Sequence, residues 1–89
     1  MRNSTLKITV YTDPGHGWGL AKREQLVKLG IIDQITPYSY QRGENVYLEE
    51  DHDLSIFCKA LKERNVKVSF DERHTDKCSK IRGYASFRK

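Results

Sequence analysis

The chain has 89 residues, of which 37% are hydrophobic and 31% charged, with a formal net charge of +4. A second core would need roughly 50 more residues, so residues 1–89 are read as a single domain, and nine aromatics (five Tyr, three Phe, one Trp) argue against disorder. No apolar run approaches the roughly 20 residues of a membrane span, and two cysteines are too few for a disulfide framework.

Met1-Arg2-Asn3-Ser4-Thr5 leads straight into a first strand with no sign of a secretory leader, which points to the cytoplasm. Leu6, Ile8 and Val10 alternate with Lys7, Thr9 and Tyr11, the period of a strand with one buried face. Asp13-Pro14-Gly15 ends it with turn chemistry. Residues 17–21 are read as a short returning strand. Residues 22–29 are read as a short helix, with Leu26 and Leu29 on one side and Gly30 in the left-handed position that closes it. Tyr38-Ser39-Tyr40 and Val46-Tyr47-Leu48 flank Gln41–Asn45, whose Gly43 marks a hairpin.

Leu54, Phe57, Cys58 and Leu61 fall at i, i+3, i+4 and i+7, the stripe of an amphipathic helix. Asp51 or Asp53 is the expected N-cap and Asn65 the expected C-terminal closure. Val66, Val68 and Phe70 predict another strand, residues 72–80 a polar loop, and Ile81 to Phe87 a last strand. The expected fold is α+β, in the order β-β-α-β-β-α-β-β: a largely antiparallel sheet of four to six strands, wet on one face and covered by two helices on the other.

Charge is uneven along the chain. Residues 73–89 hold six bases (Arg73, Lys77, Lys80, Arg82, Arg88, Lys89) and one acid, whereas residues 1–72 hold ten bases and eleven acids. Such a basic segment attracts nucleic acid or an acidic protein surface. With Tyr84 as a stacking ring, these six bases form a candidate nucleic-acid surface. Arg82-Gly83-Tyr84-Ala85 matches the opening of the RNP1 stacking motif, but Ser86 stands where its second aromatic belongs, so an RRM is excluded.

The acidic run Glu49-Glu50-Asp51-His52-Asp53 is the densest constellation. Acids before a helix favour its positive end, and neighbours on a strand point to opposite faces, so the run is not read as a metal site. It remains a candidate docking surface for basic partner residues. His16, between two glycines, lacks a partner at fixed spacing and is read as packing on Trp18. Cys58 belongs to the apolar stripe and Cys78 to the basic loop, and no paired spacing supports a zinc site. No catalytic residue, metal or cofactor is assigned.

Taken together, Pro14-Gly15-His16-Gly17-Trp18, Leu29-Gly30-Ile31, Tyr38-Ser39-Tyr40-Gln41-Arg42-Gly43 and Val46-Tyr47-Leu48-Glu49-Glu50-Asp51-His52-Asp53 resemble segments of a group of small bacterial and phage proteins. That group shows GHGW, LGI, YSY and YLEEDCD, and His52 stands where the group's cysteine is expected. The resemblance runs from about residue 6 to residue 87. It implies a small protein of a phage or mobile element, a class in which some members inhibit host defence, CRISPR surveillance complexes included. The expectation that follows is a non-enzymatic, anti-CRISPR-type inhibitor that binds a host protein or ribonucleoprotein. Glu49, Glu50, Asp51 and Asp53 are expected to dock basic partner residues, with Tyr38, Tyr40 and Tyr47 as aromatic anchors. A nucleic-acid-binding accessory protein and, third, a metal-dependent hydrolase using the acidic run and His16 are the alternatives.

Overall fold

The computed structural model describes residues 4–89; Met1–Asn3, read above as leading into the first strand, lie outside the described residues. The strands are β1 (Ser4–Thr12), β2 (Gly17–Lys22), β3 (Tyr40–Arg42), β4 (Asn45–Glu49), β5 (Val66–His74) and β6 (Ala85–Ser86). The helices are α1 (Arg23–Lys28), between β2 and β3, and α2 (Asp53–Glu63), between β4 and β5. Short 3-10 turns occupy Ile32–Gln34 and Lys80–Gly83. The fold is α+β in the expected element order, and no described helix is long and apolar enough to cross a membrane.

The sheet runs β5-β1-β2-β4-β3-β6, antiparallel except where β1 and β5 lie parallel. Its register sorts the side chains between two faces. Leu6, Ile8 and Val10 stand beside Val68, Phe70 and Glu72, and Gly19 and Ala21 beside Leu48 and Val46. This is the face that α2 covers: Ile8, Leu26, Val46, Leu48, Phe57 and Leu61 form the main core. At Gly19 the Leu54 side chain of α2 lies directly on the strand, where a Cβ would collide with it.

Local chemistry explains the ends of the elements. Gly30, at φ +71°, closes α1: Gly30 N–H donates to Val27 O and Ile31 N–H to Leu26 O, the paired bonds of a Schellman ending. Asn65, at φ 62°, follows α2 in the same conformation, and its N–H donates to Lys62 O. The β3–β4 hairpin turns on Gly43 and Glu44 alone, because Arg42 pairs with Asn45. The connection is therefore shorter than the five residues expected.

Four other expectations are corrected. Residues 81–83, expected as strand, belong instead to the Lys80–Gly83 3-10 turn, with Ser79 Oγ accepting from Ile81 N–H, and only Ala85 and Ser86 pair with β3. Strand β5 continues to His74, into the expected loop, because β1 offers it a partner as far as Thr12. Neither Asp51 nor Asp53 caps α2: His52 holds the N-cap position and Asp53 is already helical. Finally, the face away from α2 is not simply wet. Trp18, Tyr47 and Ile81 are buried there in a second, smaller core, with Tyr11, Leu20, Tyr40 and Tyr84 packed around them.

Candidate functional site: an aromatic cleft beside a basic groove

The second core shapes everything on this face. Ile81, carried by the Lys80–Gly83 turn, joins Trp18 and Tyr47 across the sheet and is only 3% exposed. A cleft of about 590 Å³ has Trp18, Tyr40, Glu49 and Arg82 in its lining. Two smaller grooves of about 360 and 260 Å³ share Tyr11, Ser79 and Lys80 as walls. The turn thus contributes Arg82 to the cleft and Lys80 to both grooves.

Asp13 anchors the turn. It is 5% exposed, and its carboxylate accepts from Gly15 N–H at 3.0 Å, His16 N–H at 2.9 Å and Ser79 N–H at 2.9 Å. Arg82 donates to it twice, from Nε at 2.6 Å and Nη2 at 2.9 Å. The Arg82 fork, followed by the Ser79 N–H, holds the carboxyl far below the usual carboxylate range against the opposing effect of burial. Asp13 in return raises the pKa of Arg82. The guanidinium lies 5.4 Å from the centre of the Trp18 ring, within cation–π reach.

The far wall is built around Asp53, which is fully buried. Its Oδ2 accepts from Thr36 N–H at 3.0 Å, Thr36 Oγ1 at 2.7 Å and Ser39 Oγ at 2.5 Å. Its Oδ1 lies 3.0 Å from His52 Nδ1. Ser39 Oγ also accepts from Glu49 N–H at 2.9 Å, which ties the segment before β3 to β4. Glu49 spends both carboxylate oxygens on the turn after β4, accepting from Asp51 N–H and His52 N–H, each at 2.9 Å. Three carboxylates near the cleft, Asp13, Glu49 and Asp53, are therefore engaged within the fold.

The cleft brings together several of the residues singled out in the sequence. Tyr38 is 78% exposed and Tyr40 half-buried, both in its lining with Glu49 at the end of β4; Asp51 is exposed on the adjoining turn, whereas Glu50 is exposed in a separate groove beside His16, Glu72 and His74. His16 packs near Trp18, ring centres 6.1 Å apart, as expected, and also lines the cleft with His52. Two nominated residues are withdrawn from the surface. Asp53 is fully buried and Tyr47 is 8% exposed, its burial raising its pKa, so neither is presented to a partner. Asp53 is consumed by Thr36 and Ser39, and Tyr47 lies between Tyr11 and Tyr84.

The basic residues separate likewise. Arg82 is bound to Asp13, Arg73 pairs with Asp71 at 3.0 Å and Lys89 with Asp33 at 3.0 Å. Arg88 is exposed, but its backbone is fastened to β3 and α1: its N–H donates to Gln41 Oε1 and its carbonyl accepts from Arg23. Lys77 and Lys80 are exposed and line a groove with Arg73 and Tyr11. Tyr84 stacks beside Tyr47 at 5.3 Å and beneath the Arg42 guanidinium at 5.3 Å.

Sequence reading missed Asp13, Arg42 and Thr36 as parts of the site. Asp13 was legible only as a turn residue. Arg42 carried no signal apart from its place beside the hairpin glycine. Both cysteines are free, Cys58 half-buried with its thiol pKa raised by burial, and among the described residues no three or more His, Cys, Asp or Glu side chains gather as a metal site. Comparison with protein-family models, curated proteins and solved structures gives no match.

Proposed function

We propose that this is a non-enzymatic binding protein of phage or mobile-element type, acting in the host cytoplasm. It docks a host protein or ribonucleoprotein at the aromatic cleft and blocks it, as an anti-CRISPR-type inhibitor does. The observation that carries this reading is the lip of the cleft: Tyr38, 78% exposed, stands on a segment pinned by three hydrogen bonds from Thr36 and Ser39 to buried Asp53. A large aromatic presented on a fixed backbone loses little backbone entropy on docking and is the usual kind of interface anchor. Tyr40 supplies the floor, and exposed Asp51 on the adjoining turn, with Glu50 in the neighbouring groove beside His16, supplies negative charge for basic residues of the partner. The engagement of Asp13, Glu49 and Asp53 within the fold favours a structural use of these carboxylates over a catalytic one.

The test is a cleavage assay. Purified host nucleases and CRISPR surveillance complexes are incubated with the protein, and target cleavage is followed. Protection is expected with at least one of them, with direct binding weakened at least tenfold by Tyr38→Ala and by Glu50→Lys with Asp51→Lys. Absence of protection and of binding in every such assay overturns the reading.

A further inference from the structure

We propose that the other half of this sheet face, across the Lys80–Gly83 turn from the cleft, is a binding site for single-stranded nucleic acid. The inference uses different residues from the cleft and is independent of the function proposed there.

Tyr11 lies beside Arg73, Thr9 beside Asp71, Lys7 beside Ser69 and Thr5 beside Lys67, so Lys7, Lys67 and Arg73 project from the same face as Tyr11. That face is the one α2 leaves uncovered. Arg42 stands on it as well, since it pairs with Asn45. Lys77 and Lys80 line the groove that Tyr11 and Arg73 wall, and Arg42 and Tyr84 line the adjoining one. Five exposed cations (Lys7, Arg42, Arg73, Lys77 and Lys80) thus share this face with the half-buried rings of Tyr11 and Tyr84, the latter packed on Tyr47 and covered only by the exposed Arg42 guanidinium, and Lys67 extends the basic track along β5. The run from Lys67 to Arg73 alone extends about 20 Å along the strand, at about 3.3 Å per residue.

The acids on this face are few and occupied. Asp71 pairs with Arg73 across the surface, and Glu49 holds the turn before α2. An exposed pair of this kind contributes little and exchanges readily for a phosphate. Asp76, exposed between the groove residues Thr75 and Lys77, is paired with His74 at 3.2 Å, and Glu72 stands on the α2 face. Cations interleaved with aromatic rings on an open sheet combine phosphate neutralisation with base stacking, the pairing that single strands need. A duplex offers no unstacked base to Tyr11 or Tyr84, and an acidic protein surface has no use for the rings' spacing among the cations.

Fluorescence anisotropy with a labelled oligouridylate tests this. The single strand is expected to bind, with log K falling against log[salt] at a slope near −3 if four or five phosphates are contacted at about −0.7 each. Lys77→Glu with Lys80→Glu should weaken binding at least tenfold, and Tyr84→Leu at least fivefold. Lys59→Glu with Lys62→Glu makes the same charge change on α2 and should alter binding less than twofold. Equal losses from the two lysine pairs would mean diffuse attraction to a basic chain and overturn the site. Equal affinity for a duplex, heparin or anionic vesicles would overturn the choice of single-stranded nucleic acid, as would absence of binding at low salt.

Discussion

Arg82 reaches back across the molecule to clasp Asp13 with two parallel hydrogen bonds, Nε to Oδ2 at 2.6 Å and Nη2 to Oδ1 at 2.9 Å, joining residues 69 positions apart. The first turn of the chain and its last ordered turn are thereby held together, and the pair makes the boundary between the aromatic cleft and the basic groove.

This relationship is expected to appear in acid. Asp13 has its pKa lowered on folding, so the stability it contributes is fully present above the ordinary carboxylate range near about pH 4 and is lost as pH falls toward the folded value. Thermal melts from pH 7 to pH 2 should show the parent well above Asp13→Asn at neutral pH. The gap should narrow steadily below about pH 5. A gap that stays constant with pH would show that the charge of Asp13 is not what Arg82 requires.

Asp53 predicts a large effect from a residue that touches no partner. Removing its carboxylate leaves the Thr36 N–H and the Thr36 and Ser39 hydroxyls without their acceptor. Asp53→Ala should therefore cost about 3 kcal/mol or more, and Ser39→Ala about 1–3 kcal/mol, read from urea midpoints. The nuclear magnetic resonance signals of Tyr38 and Tyr40 should broaden in both variants, because the same bonds pin the segment that carries them.

The stripe of α2 gives the clearest core test. Phe57 is fully buried, whereas Lys62 is exposed. Phe57→Ala should lower stability by about 3–5 kcal/mol and Lys62→Ala by no more than about 0.5 kcal/mol. Similar urea midpoints for Phe57→Ala and the parent would remove this face from the core.

Two glycines should respond in opposite ways to the same change. At Gly19 a methyl group would collide with the Leu54 side chain, so Gly19→Ala forces Leu54 out of its packing between α2 and the sheet. A cost of about 1–3 kcal/mol is expected. At Gly83 a Cβ meets nothing within 4 Å, and Gly83→Ala should melt at or slightly above the parent temperature. Paired thermal melts check both.

What was legible in the sequence was what periodicity and turn chemistry govern. The alternation at Leu6, Ile8 and Val10 and the stripe through Leu54, Phe57 and Leu61 each respond to one buried face, and a local pattern is enough to report it. Gly30 and Asn65 were legible because few residues tolerate the conformations they adopt. The end of the chain was not, because Ile81 is buried by Trp18 and Tyr47, partners far away in sequence. Asp53 was misplaced for a related reason: local rules offer a carboxylate the helix end, whereas Thr36 and Ser39 compete for it from another segment. The site was half legible. Tyr38, Tyr40 and the acidic turn were nominated from sequence, but their meeting with Arg82 depends on the bond to Asp13.

The parallel pairing of β1 with β5 also sets the order in which this molecule can be completed. Thr12 waits for His74, 62 positions away, and every other β1–β5 pair spans the same interval. A chain emerging from the ribosome can pair β1 with β2 and close the β3–β4 hairpin early, but it must carry β1's outer edge unpaired until α2 has crossed over. Long-range closure of this kind slows folding, and an open edge invites association with other chains. The vulnerable period in the life of this protein is therefore the interval between synthesis of Thr12 and arrival of His74, when a strand destined for the interior of the sheet is still its border.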